Sequence, residues 1–268
     1  MTTVGFIGLG AMGEPMAANL LAAGVEVHGC ANRSRAPIER LAEAGLVENA
    51  DPASVAAEAD VLMTVVWDEA QNDAILRGPN GALASLRPGS SVIVMSTVSP
   101  EYCKALAAEA AETGIVVLDC PVSGMPAGAK AGTLTLMIGG DEAEVERVRP
   151  VLEPMGNIAH CGPVGSGQVM KLGNNAVVIG TWALLMEVRE MAAKQGMDLD
   201  VFMEFLNRST GRSFVSESFP MPPERIMLEG MPVKDLSRCL EAGGDVDAWM
   251  PIVDVLVNQA SVGDGGPA

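Results

Sequence analysis

The chain has 268 residues, of which 49% are hydrophobic and 19% charged, a balance that excludes a disordered or low-complexity protein and leaves room for two modest domains, each with its own core. Lys and Arg number 17 against 34 Asp and Glu, so the net charge is −17, a field that repels nucleic acid and anionic lipid and makes neither an expected partner. The five cysteines (Cys30, Cys103, Cys120, Cys161, Cys239) lack CxxC spacing, which argues against disulfides or a zinc site and for reduced thiols in a cytoplasmic protein.

The chain opens on a strand, Thr3–Ile7, that runs straight into a glycine-rich turn, a helix and a second strand, Val25–Ala31. The apolar N-terminal stretch has no basic flank and is broken by Glu14 and Pro15, so it does not read as a targeting signal. Its turn carries Gly8-x-Gly10-x-x-Gly13, with Leu9, Ala11 and Met12 between, and glycines at that spacing inside a βαβ unit imply a dinucleotide cradle. Gly8 permits the tight turn, Gly10 the approach of backbone to a pyrophosphate, and Gly13 the contact of helix with strand, while the helix N-terminus faces the phosphates. An NAD site usually places an acid about 20 residues further on, to bind the ribose hydroxyls. This chain has Asn32, Arg33, Ser34 and Arg35 there instead. A guanidinium suits a 2′-phosphate, so NADP(H) is expected in preference to NAD(H).

Further apolar runs, "VLMTVV", "SVIVMS", "IVVLDC" and "TLTLMIGG", alternate with Ala- and Glu-rich helical segments, the pattern of a mostly parallel, doubly wound α/β sheet of Rossmann type. Asp68, Glu69, Glu142 and Glu190 read as solvated helix surface. His28 and His160 sit in apolar strands without nucleophile partners and suggest neither a triad nor a metal site. After the short strand in "NIAHCG" a Gly/Pro-rich break divides the chain into a dinucleotide-binding domain, 1–163, and an all-α domain, 164–268, joined by one long helix from Gly167 to Gln195. The longest helix-like apolar run in that helix, Ala176 to Met186, is shorter than the about 20 residues a membrane span requires.

Five blocks in order, "GFIGLGAMGEPMAANL", "STVSP" (Ser96–Pro100), "DCPVSGMPAGAKAGTLTLMIGG" (Asp119–Gly140), "GPVGSGQVMKLGNN" (Gly162–Asn175) and "KDL" (Lys234–Leu236), resemble the β-hydroxyacid dehydrogenase family, which includes 3-hydroxyisobutyrate dehydrogenases and tartronate, glyoxylate and succinic semialdehyde reductases. The resemblance implies hydride transfer between NADP(H) and a small carboxylated 3-hydroxy or 2-hydroxy acid or its carbonyl form. Such a reduction needs a proton donor beside the carbonyl oxygen, and Lys171 meets that need, with Asn175 one turn on and Gln168 on the same face. By resemblance Lys171 is the catalytic lysine and Asn175 its substrate-binding companion. Ser123 and Gly124 match the substrate carboxylate turn, Thr97 the cofactor side of its block, and Lys234 the lysine that reaches the nicotinamide half.

Met125 stands where the family usually has glycine, which narrows the pocket or shifts the turn. Lys234 and Asp235 also read simply as charges near a helix start. The resemblance further implies a small anionic substrate and a homo-oligomer. Departures lie in the helical domain: the connection from Arg225–Gly230 to "KDL" and the stretch Leu240–Pro251 look shortened, and "GDGGPA" replaces a final helix. A catalytically silent NADP-binding scaffold of the same fold is the alternative, against which Lys171 and Asn175 both argue. In 6-phosphogluconate dehydrogenases a "K-x-x-HN" pattern stands where this chain has "KLGNN".

Overall fold

Strands of Val, Ile, Leu and Met with few polar interruptions require cover on both faces, and the first part of the chain supplies it with helices. The computed structural model describes residues 2–219, 230–245, 248 and 250–263. In chain order the strands are β1 (Thr3–Ile7), β2 (Glu26–Cys30), β3 (Val47–Asn49), β4 (Val61–Thr64), β5 (Ser91–Val94), β6 (Val116–Asp119), β7 (Val122–Ser123), β8 (Leu134–Gly139) and β9 (Gly156–Gly162). They form one sheet in the order β3-β2-β1-β4-β5-β6-β8-β7, with β9 beside β8. The first six are parallel, β8 runs antiparallel to β6 and β7, and β9 is parallel to β8. The order reverses between β1 and β4, the place where open parallel sheets bind ligands at their carboxyl ends.

Alternation along the strands divides the core in two. Val4, Phe6, Val61, Met63, Ile93 and Leu118 join one buried cluster, whereas Ile7, Leu62, Val92, Val94 and Val117 join another. Successive side chains on a strand point to opposite faces, so this partition is what a sheet between two helical layers demands. Those layers hold α1 (Gly13–Ala22), α2 (Ala36–Glu43), α3 (Pro52–Glu58), α4 (Glu69–Leu76), α5 (Pro100–Ala111), α6 (Met125–Ala131) and α7 (Glu142–Leu152). Asp51, Asp68, Ser99 and Asp141 cap the N-termini of α3, α4, α5 and α7, each accepting from a backbone N–H of the first turn.

The chain separates into two units, Met1–Lys171 and Leu172–Ala268. Helix α8 (Ser166–Lys194) begins in the first and continues in the second, followed by α9 (Leu199–Asn207), α10 (Phe214–Glu217), α11 (Met231–Gly244) and α12 (Pro251–Gly263). The polar residues taken from the sequence as ends of the apolar run, Asn175 and Glu187, do not interrupt α8: its 29 residues include an 18-residue stretch of mean hydropathy 1.3, long and apolar enough by length and composition to cross a membrane, with 22% of it buried. Among the described residues of the second unit, Leu185, Met203 and Val215 form a buried cluster with Trp182, Phe202 and Phe219 packed against it. Of the stretches read as shortened, 225–229 and 264–268 lie outside the described residues, as do 246, 247 and 249.

Candidate active site

The glycine turn joins β1 to α1, and two of its three glycines have a steric reason. At Gly8 φ is +104° and a Cβ would come within 2.0 Å of the Val65 carbonyl oxygen, while at Gly13 a Cβ would lie 1.9 Å from the Gly8 oxygen. Both positions are closed to any side chain. A Cβ at Gly10 would meet nothing within 4 Å, so there the backbone is an exposed rim at the start of a helix. Such a rim fits a dinucleotide pyrophosphate, received by backbone N–H groups at the positive end of α1.

After β2 comes the basic island. Arg35 is committed: it holds Glu48 at 2.9 Å and Glu39 at 3.5 Å. Arg33 is exposed and forms no ion pair with a described residue, and Asn32 and Ser34 beside it are exposed too. At the end of β2, burial and the carboxylates of Asp51 and Glu48 push the Cys30 thiol up to about 11. The two histidines have structural partners, His28 with Asn49 at 3.0 Å and His160 with the Gly140 carbonyl at 2.9 Å.

Beyond β5 the segment Ser96–Ser99 is held from several directions. The Val66 N–H donates to Ser96 Oγ at 2.9 Å, and the Ser99 N–H to Glu69 Oε1 at 2.8 Å. Glu69 is therefore more than solvated helix surface, contrary to the sequence reading; it anchors the entry to α5. Gln168 donates from Nε2 to the Ser96 carbonyl at 2.9 Å and accepts the Val98 N–H at 3.1 Å, and it is fully buried. Although it shares a helical face with Lys171, its amide is committed to the protein backbone and is not open to a substrate. Asp119, at the end of β6, accepts the N–H of Gly165 at 2.6 Å and of Gln168 at 2.8 Å, and so caps the start of α8 from outside that helix. Burial raises its carboxyl to about 6, and those N–H bonds hold the rise back.

Ser123 ends β7, Gly124 follows at φ 139°, and Met125 has φ 58°, the one non-glycine residue at positive φ among those described. The turn thus keeps a glycine-type backbone under a methionine side chain. In the second unit, Asn175 Nδ2 donates to Asp235 Oδ2 at 2.6 Å, and Lys234 Nζ stands 2.9 Å from Asp235 Oδ1. Asp235 is buried, with Oδ2 accepting from the Asn175 amide and Oδ1 facing the Lys234 ammonium. The sequence reading had taken Asp235 for a helix-start charge, and nothing local marks it as a partner of Asn175, 60 residues earlier. Lys171, half-buried, lies one helical turn before Asn175 along α8.

Residues 3–167 match the NAD-binding domain of 6-phosphogluconate dehydrogenase, and residues 165–264 match the NAD-binding domain of NADP-dependent 3-hydroxyisobutyrate dehydrogenase. The chain belongs to the β-hydroxyacid dehydrogenase family. It is similar to 2-(hydroxymethyl)glutarate dehydrogenase of Eubacterium barkeri, 35% identical over 93% of this chain and 85% of that one. An NAD-dependent L-serine dehydrogenase of Pseudomonas aeruginosa is 36% identical over 83% of this chain and 75% of its own. Among solved structures, the 3-hydroxyisobutyrate dehydrogenase of Mycobacterium tuberculosis with L-serine superposes with a TM-score of 0.84 at 30% identity, covering 99% of this chain and 94% of that one. As a β-hydroxyacid dehydrogenase the protein is an NAD(P)-dependent oxidoreductase of hydroxy acids with a Rossmann-type sheet.

Proposed function

We propose that the protein interconverts a small carboxylated hydroxy acid and its semialdehyde or keto acid with NADP(H), using Lys171 as proton donor and acceptor. The observation that carries this reading is the buried Asp235, which accepts from the Asn175 amide on Oδ2 and faces the Lys234 ammonium with Oδ1, a costly buried charge placed beside the two residues assigned to substrate and cofactor. When bound, the reduced nicotinamide supplies a hydride to the carbonyl carbon. Lys171 gives a proton from Nζ to the oxygen as that bond polarises, leaving a neutral amine that regains its proton from solvent. Asn175, fixed by Asp235, holds the substrate hydroxyl or carbonyl. Ser123 and the Gly124 N–H grip the carboxylate, and Thr97 and Lys234 contact the nicotinamide half. Arg33 receives the 2′-phosphate, which supports NADP(H) over NAD(H), although an L-serine dehydrogenase among the relatives is NAD-dependent.

The test follows NADPH oxidation with glyoxylate and with succinic, tartronate and methylmalonate semialdehydes, for wild type and Lys171→Ala. Loss of the general acid is expected to lower kcat by about 10²–10⁴-fold with NADPH affinity intact. Unchanged kcat in Lys171→Ala would remove the lysine from the mechanism, and a wild type that binds NADPH and reduces none of these would favour the scaffold. We further propose that the protein acts as a homo-oligomer through the exposed apolar side of α8.

A further inference from the structure

We propose that Gln168 is a positioning residue: its side-chain amide locks the Ser96–Ser99 segment, with Thr97 at its centre, onto the first turn of the helix that carries Lys171. The inference rests on the roles proposed above for Thr97 and Lys171. It adds a residue that touches neither substrate nor cofactor.

The geometry is that of a borrowed peptide group. A primary amide offers one acceptor and donors in the same plane, as a backbone peptide does. Gln168 uses them on the Ser96 carbonyl and the Val98 N–H, the two main-chain groups flanking Thr97, which is how a residue of a neighbouring parallel strand binds its partner. Among the described residues no strand does this here, and β5 ends at Val94. Gln168 extends the pairing past the end of the sheet with a side chain. Its own backbone is fixed in turn: Asp119 accepts its N–H at 2.8 Å and that of Gly165 at 2.6 Å. The carboxylate fits because its neighbours lack side chains, since a Cβ at Gly139 would lie 2.4 Å from Oδ1 and one at Gly167 2.8 Å from Oδ2. The ties through Ser96 Oγ and the Ser99 N–H run instead to Val66 and Glu69, on the other side of the segment.

A buried amide costs stability unless all its groups are satisfied, and an apolar side chain of similar volume carries no such demand. What the amide adds is direction. It sets the distance between the Thr97 backbone and the start of α8, and Lys171 follows three residues later, on the same face. Displacement of a reacting group by about 1 Å can lower a rate by about 100-fold.

Gln168→Glu separates positioning from bulk. As a neutral acid, glutamate donates to the Ser96 carbonyl and accepts from the Val98 N–H, so both ties survive. As a carboxylate it turns a charge on the Ser96 oxygen. The groups that face it are the Asp119 carboxyl, the Cys103 thiol and, across the segment, Glu69. Measured on the aldehyde found by screening, kcat of Gln168→Glu should approach wild type at pH 5.5. By pH 8 it should fall about tenfold or more relative to wild type, with KM changed much less. Gln168→Leu should be low in kcat at both pH values, with circular dichroism and melting showing it folded. Values of kcat per folded molecule within about twofold of wild type at both pH values, in both variants, would overturn the proposal. Failure of both variants to fold would assign Gln168 to stability alone and overturn it equally. A wild type that binds NADPH without turnover would defeat the reductase reading itself, an outcome visible before any Gln168 variant is made.

Discussion

Arg33 and Arg35 are two residues apart and differ in what they have left to offer. Arg35 is neutralised by Glu48 and Glu39, and exposed pairs of that kind contribute at most about 1 kcal/mol. Arg33 has no such partner among the described residues. Arg33→Ala is therefore expected to weaken NADP(H) binding by about 1.5–3 kcal/mol, the loss of a charge-assisted contact, and to leave NAD(H) nearly unchanged. Fluorescence titration with both cofactors reads this directly, and equal losses would place Arg33 away from the 2′-phosphate. Met125 makes a second case. Substitution by glycine usually destabilises by about 0.5–1 kcal/mol through backbone entropy, but at φ 58° the methionine already bears a comparable left-handed penalty. Met125→Gly should hold or raise the melting temperature, and it should lower KM for longer carboxylated aldehydes relative to glyoxylate. A clear drop in melting temperature with unchanged KM ratios would show that the side chain packs usefully and does not limit the pocket. What could be read in the sequence was local: the glycine spacing, for which Gly8 and Gly13 have a steric reason, and the placing of Asn175 one turn after Lys171 on a long helix. Glu69, Asp235 and the actual use of Gln168 were not, because their partners lie 30, 60 and 70 positions away in the chain.

Elements show the same division. Strands of four or more apolar residues and the long helix α8 were readable from periodicity, whereas β3 and β7, with three and two residues, are strands only because a neighbour pairs with them. The start of α8 is likewise set from outside, by Asp119 on β6. That carboxyl titrates near 6 in the folded protein, against about 4 in an unfolded chain. Between those values the native state keeps a proton that the unfolded chain has released, so this group's contribution is fully present below about pH 4 and is lost as pH rises through about 6. Two units correspond to about 3 kcal/mol. Asp119→Asn cannot titrate, and it turns an amide N–H₂ toward one of the helix N–H groups. Urea midpoints at pH 4, 5, 6 and 7 should show the variant less stable, with its deficit relative to wild type shrinking as pH rises. Parallel curves over that range would mean that the N–H groups of α8 outweigh burial and hold Asp119 ionised.

At the scale of the whole molecule, the second copy of the chain proposed above would cover exposed apolar surface. Among the described residues of the second unit, Val177, Leu184 and Met191 on α8 are 69%, 61% and 58% exposed, with Phe205 and Phe214 exposed beyond them. A seven-residue interval keeps side chains on one side of a helix and is the interval at which two helices pack along their length. A bilayer would also accept such a stripe, but Glu187, Arg189, Glu190 and Lys194 crowd the same helix, and a charge of −17 opposes contact with anionic lipid. Leu184 lies at the middle of the stripe. In a two-fold assembly each substitution enters the interface twice, so Leu184→Glu sets a pair of carboxylates against apolar surface. Light scattering coupled to size-exclusion chromatography is expected to give a multiple of the 27.7 kDa chain mass for wild type and a smaller species for the variant. Most of the proposed cofactor contacts lie in the first unit, so NADPH affinity should largely survive the substitution, and circular dichroism serves as the control for folding. A monomeric wild type, or one that floats with anionic vesicles while Leu184→Glu does not, would replace the second copy with solvent or membrane as the occupant of that face.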